Sequence, residues 1–145
     1  MSIDSTGTWW RGSEARDIQA FLEAYSARKH VICEFRPSIC RCGSEVFLLE
    51  GDPHEGGARR KCFICRTLFY LADSEENWDE VNPVPCRCVE CHTEPHNTGV
   101  GFALDARGEV TWIYVGVRCV NCGVLGSFTH WKAGYVPSRH LLDQA

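Results

Sequence analysis

No apolar run in this 145-residue chain comes near the roughly 18 residues needed to cross a membrane, so no helical span is expected. Residues 1–10 hold no basic segment followed by an apolar one. No secretory leader is therefore expected, and the sequence reads as cytoplasmic. Basic charge is in short supply: 15 Lys and Arg face 19 Asp and Glu, a formal net charge of −4. That balance opposes a phosphate backbone and leaves nucleic-acid binding to whatever basic field the fold builds locally. Also missing is any pairing of a nucleophile with a nearby base. His92 and His96 fall in a stretch with Pro95 and Asn97 rather than on a periodic helix, which argues against a His-x3-His metal site. Such a length suits one compact domain, or two very small ones sharing a core.

Cysteine, by contrast, is abundant: there are ten, gathered with one exception into four short clusters. These are Cys40 with Cys42, Cys62 with Cys65, Cys86 with Cys88 and Cys91, and Cys119 with Cys122. Two thiolates from one tight turn can meet two from another across a hairpin, so four clusters predict two tetrahedral four-thiolate sites and two zinc ions. Four thiolates also bind iron in the same geometry, with zinc the expected ion. In a reducing compartment, thiols at this spacing are metal ligands rather than bridges. Cys33 belongs to no cluster and reads as a small buried hydrophobe in a strand.

An internal repeat bears on which cysteines pair. Residues 37–42 and 83–88 both read Pro-x-x-Cys-Arg-Cys, each followed by an apolar strand pattern and a Cys-x2-Cys turn. By this alignment the ligands are Cys40, Cys42, Cys62 and Cys65 in the first site and Cys86, Cys88, Cys119 and Cys122 in the second, with Cys91 left over. Spacing alone supports the alternative of Cys88 with Cys91, and the choice stays open at this point. The chain divides accordingly into an N-terminal helix and strand (1–35), a first module (36–80), and a second module with its C-terminal tail (81–145).

From Ser13 onward, Ala15, Ile18, Phe21, Leu22 and Tyr25 recur at helical intervals. They predict an amphipathic helix of about 15 residues, with Ser13 as N-cap and Arg28-Lys29 near its end. Before it, Trp9-Trp10 is expected to cover an edge of the core. Strands are predicted over 30–35, 45–50, 66–71, 99–104, 109–117 and 124–130, with a hairpin at Asp105-Ala106-Arg107-Gly108. The fold class expected is small α+β, mainly antiparallel β, with each sheet end pinned by a metal because so few core residues cannot hold it alone.

Cys-Arg-Cys-Gly with Cys-x2-Cys and flanking hairpins resembles the zinc-ribbon superfamily, also called zinc β-ribbon or rubredoxin-like knuckle proteins, over roughly residues 37–131. Both first turns are Cys-x-Cys where ribbons more often have Cys-x2-Cys. The resemblance implies zinc and a fold more firmly than a function, since ribbons serve transcription, ribosomes and protein-binding adaptors. The fragment Cys88-Val89-Glu90 is similar to part of the nucleobase deaminase signature, yet Arg118 rather than Pro precedes Cys119. Four filled thiolate positions leave no vacancy for substrate, so the chain is expected not to be an enzyme.

Two filled sites would take the charge towards about −8. A protein partner with a basic surface is the expectation, of the kind an inhibitor or immunity protein meets, and no membrane partner is expected. Asp73 to Glu80, with five carboxylates and Trp78, reads as a solvated linker or as an acidic surface with an aromatic anchor. The rival reading is a nucleic-acid interface built from Arg59, Arg60, Lys61, Arg66 and Phe63.

Overall fold

The structure is a computed structural model that describes residues 3–134 and 137–145. Its elements in chain order are β1 (Ile3–Asp4), β2 (Arg11–Gly12), α1 (Asp17–Tyr25), β3 (Glu34–Pro37), β4 (Phe47–Gly51), β5 (Ala58–Cys62), β6 (Leu68–Tyr70), β7 (Val84–Pro85), β8 (His96–Leu104), β9 (Val110–Cys119) and β10 (Leu125–Lys132). Short 3-10 turns lie at Trp78–Glu80 and Arg139–Asp143. The expectation of a mainly antiparallel β protein with one helix holds, because every strand pairing is antiparallel.

One eight-stranded sheet runs β10-β9-β8-β4-β5-β6, with β3 beside β8 and β7 beside β4. Strand β8 is the spine. One of its edges takes all of β9, and the other is shared between β3, which pairs residues 99–102, and β4, which meets it at the single pair Phe47↔His96. Strands from either side of residue 80 thus join the same sheet. The β8–β9 hairpin turns at 105–108 as its sequence predicts: the Asp105 carboxylate accepts the backbone N–H of Arg107 and Glu109, and Gly108 sits at φ +83°.

Helix α1 lies on this hairpin. Ile18 and Leu22 are fully buried against Tyr114, Leu125 and Ile32. They fit because Gly116 has no side chain: a Cβ there would lie 2.6 Å from Ile18 and 2.8 Å from Leu22. The helix is nine residues long, shorter than expected, and Ser13 does not cap it. The Asp17 carboxylate instead accepts the N–H groups of Ser13 and Glu14, folding 13–16 into a turn that stands where the first helical turn was expected. Trp10 packs edge-on against Phe21 at 5.8 Å, covering the core as predicted, while Trp9 stays 43% exposed.

Three other expectations are corrected. Cys33 is exposed, not buried, because β3 begins one residue later and its thiol turns back to the Val31 carbonyl. Residues 73–80 are solvated at Glu75, Glu76, Asp79 and Glu80 but are tied to the body at three points. Asp73 accepts from Trp131 Nε1 and Gly134 N, Ser74 Oγ accepts from Ala58 N, and Trp78 is covered by the Arg59 guanidinium 4.5 Å from its ring. The basic triplet 59–61 is strand β5, whose alternation turns Arg59 and Lys61 outward and Arg60 inward, 5% exposed.

Candidate metal centres

A row of paired residues crosses four strands at one end of the sheet: Cys62↔Phe47↔His96↔Cys119. Cys62 closes β5 and Cys119 closes β9, so each strand delivers the first cysteine of a Cys-x2-Cys turn to this end. At about 4.8 Å per strand, the two turns start roughly 14 Å apart.

At each of them four sulfurs converge. Cys40, Cys42, Cys62 and Cys65 form one group, and Cys88, Cys91, Cys119 and Cys122 the other, with all four Sγ atoms of each group within 4.8 Å of one another. The closest separations are 3.4 Å (Cys40–Cys65) and 3.5 Å (Cys42–Cys62) in the first. In the second they are 3.4 Å (Cys88–Cys122) and 3.5 Å (Cys91–Cys119). A disulfide would need about 2.05 Å, and all ten cysteines are free. Four sulfurs about 2.3 Å from a common ion stand about 3.8 Å apart, so both groups fit a tetrahedral metal with little movement.

Three of the turns share one backbone design. Cys62, Cys88 and Cys119 each donate N–H to the carbonyl five residues on (Thr67, Thr93, Val124), and each accepts the N–H of the residue four on (Arg66, His92, Gly123). That last residue has positive φ, at +67°, +64° and +85°. The strain is accepted at Arg66 and His92 because the turn aims both sulfurs at one point. The Cys40 turn is the same device one residue shorter, with bonds to Ser44 and Gly43 and Gly43 at +91°. Within the turns, N–H groups also point at sulfur: Ile64 and Cys65 donate to Cys62, and Glu90 donates to Cys88. Thr67 and Thr93 each place a hydroxyl 3.2 Å from the second cysteine of their turn.

Cys86, assigned to the second site by the repeat, is not in the group, and Cys91 takes the place. Residues 84–85 pair with β4, and Cys86 donates its N–H to the Leu49 carbonyl. Its side chain is thereby fixed in the core, 5% exposed, among Leu49, Ala58 and Val117, and the turn begins only at Cys88. Burial pushes the Cys86 thiol up to about 12, so it stays protonated and inert.

The sulfurs of the two groups differ in acidity. Burial works against the Cys62 thiolate, but the Cys65 and Ile64 N–H groups outweigh it and bring the thiol down to about 6. The Asn121 and Thr93 side chains bring Cys91 down to about 5. Cys42 goes the other way: the Ser44 N–H favours its thiolate, yet the neighbouring sulfurs of Cys62, Cys40 and Cys65 push it up to about 11. Burial, with the sulfurs of Cys88, Cys91 and Cys119, pushes Cys122 up to about 12. At neutral pH a metal entering either group therefore displaces at least one proton, from Cys42 or from Cys122, so affinity is expected to rise with pH. Calorimetry in buffers of different ionisation enthalpy checks this; proton-independent uptake is the contrary result.

Among the described residues no helix is long and apolar enough to cross a membrane. No protein-family model, no curated protein and no solved structure matches this chain.

Proposed function

We propose that the chain is a non-catalytic, two-zinc scaffold of zinc-ribbon type that binds another protein. The observation that carries this reading is the surface between the sulfur groups. Phe63 and Ile64 occupy the middle of the Cys62 turn and Val120 that of the Cys119 turn, at 40%, 69% and 40% exposure. With Val46 and Pro95 they line an apolar groove of about 490 Å³. Side chains at these tips add nothing to the core, and a contiguous apolar patch left in water marks an interaction surface. Closed four-thiolate centres, which leave no coordination position for substrate, support a structural rather than catalytic metal. The acidic charge, deepened by two thiolate-rich centres, favours a basic partner such as one met by an inhibitor or immunity protein.

The nucleic-acid reading has less to stand on. Arg60 is buried, and Arg59 is engaged by Glu50 at 2.9 Å and by the Trp78 ring, which leaves Lys61 and Arg66 as the exposed cations of that set.

The test is affinity capture from host extract with the zinc-loaded chain and with a Phe63→Asp/Ile64→Asp variant of equal metal content. A stoichiometric protein held by the first and lost by the second is the expected result. Equal retention, or a strong and steeply salt-dependent affinity for nucleic acid, would overturn the reading.

A further inference from the structure

Glycine inside a strand weakens it, and most of the strand glycines here have a packing reason. At Gly12, Gly51, Gly99, Gly101 and Gly116 a Cβ would press on a packed neighbour, such as Asp17, the Gly57 carbonyl, Phe35, Ile32 or Ile18. Gly126, in β10, is different. The nearest atom to its missing Cβ is Val117 Cγ2 at 3.9 Å, an ordinary contact, and its φ is not positive. Neither packing nor backbone requires glycine there, and its bare backbone borders an open cleft.

This cleft, about 470 Å³, wraps the β10 edge of the sheet between the N-terminal segment, α1 and residues 86–89, beside the second sulfur group. Such a volume is in the small-molecule range. Its walls are aromatic, from Trp9, Trp10, Phe21 and Phe128. Among its lining residues there is no carboxylate, Arg87 is held by Glu94 at 3.0 Å, and the Cys88 sulfur of the second group disfavours an anion, so the cleft suits a neutral occupant.

Two polar groups in the lining lack partners. His96 is only 2% exposed, and its Nδ1 stands 2.7 Å from the Glu94 carbonyl oxygen. A carbonyl only accepts, so Nδ1 carries the proton and Nε2 of the neutral ring presents a lone pair. Nε2 makes no hydrogen bond among the described residues. Ser127 Oγ is buried without a partner, but Ser127 pairs with Gly116 on the face that meets α1, so it lies on the opposite side of the sheet from His96. An imidazole acceptor left unpaired in a residue only 2% exposed calls for an explanation, and a ligand is the one consistent with the open glycine on the same face.

We propose that this cleft binds a small neutral aromatic molecule carrying one N–H or O–H donor, of the indole or phenol class. The ring lies over the open Gly126 beside Phe128, on the sheet face that carries His96, and the donor reaches His96 Nε2.

The experiment titrates the zinc-loaded full chain with indole and with benzofuran, which has the same shape but no N–H, by calorimetry and NMR. Indole is expected to bind saturably at one site, with benzofuran about tenfold weaker or worse because it leaves the imidazole unpaired. The His96 Nε2 resonance, which needs no variant, is expected to shift with indole and to stay with benzofuran. Gly126→Val fills the cleft with a strand-favouring side chain and is expected to keep the metal content while abolishing indole binding. Equal binding of the two compounds, an unmoved Nε2 resonance, undiminished binding in Gly126→Val, or no saturable binding of indole or phenol would each overturn the proposal. Phe63 and Ile64 do not line the cleft, so their Asp variants are expected to bind indole normally, and the protein-docking reading and this one fail separately.

Discussion

Replacing Cys91 by serine is expected to lower the metal content from two ions per chain to one, whereas Cys86→Ser is expected to retain both. The two residues differ in what surrounds the sulfur. Cys91 Sγ lies 3.5 Å from Cys119 Sγ in a group whose four sulfurs converge on one point. Cys86 is a neutral thiol among Leu49, Ala58 and Val117. A structural four-thiolate site contributes apparent binding energy on the order of 10 kcal/mol, comparable with the about 5–15 kcal/mol of a whole small protein. Removing one ligand of four should therefore cost several kcal/mol and loosen the end of β9, where Cys119 pairs with His96. Putting a hydroxyl in place of the Cys86 thiol costs about 1–3 kcal/mol for an unpaired buried polar group, with the ions still bound. Elemental analysis with denaturant unfolding of both variants decides the matter. If Cys86→Ser lost an ion and Cys91→Ser did not, the repeat would have named the ligands correctly after all.

A Pro-x-x-Cys-Arg-Cys match carries little backbone geometry, whereas Cys-x2-Cys-x-Thr carries a great deal. Cys62 to Thr67 and Cys88 to Thr93 share that second pattern, and the structure gives both the same hydrogen bonds, the same positive φ and the same threonine hydroxyl at sulfur. The threonine was the legible signal for Cys91. Apolar periodicity was informative where one face is dry: it marked Ile18 and Leu22 on α1, and it located β9 and β10 to within two residues. It was silent on β5, because two of that strand's three inward residues are Arg60 and Cys62 and no hydrophobic alternation remains to be seen. The joining of strands from both cysteine-bearing halves into one sheet rests on the pair Phe47↔His96, 49 positions apart, and on Glu50↔Pro85 and Gly51↔Val84 between β4 and β7, and nothing local in either segment encodes such contacts.

Truncating Arg60 to alanine is expected to destabilise the protein by about 3–5 kcal/mol, the range for stranding or removing one member of a buried charged set. The guanidinium carbon sits 4.7 Å from the Phe47 ring centroid and 4.3 Å from that of Phe69, and one terminal nitrogen donates to the Ala145 oxygen at 2.9 Å. Burial holds the Arg60 pKa below its usual value, while the negative sulfurs of Cys40 and Cys62 act in the opposite direction. A metal held by these four thiolates would make a dianionic centre, and Arg60 would be a buried positive group that offsets its charge. Arg60→Met separates the two roles. It keeps most of the volume between the rings, so it is expected to recover much of the stability lost in Arg60→Ala. It restores no charge, so metal affinity at the first group is expected to stay down on the order of tenfold, as expected when a Coulomb partner several ångströms away is removed at an effective dielectric near 20. Competition with a chromophoric chelator reads the affinity of each site, and the second group serves as the internal reference. Should Arg60→Met bind metal at the first group as tightly as the unaltered chain, the guanidinium serves packing alone.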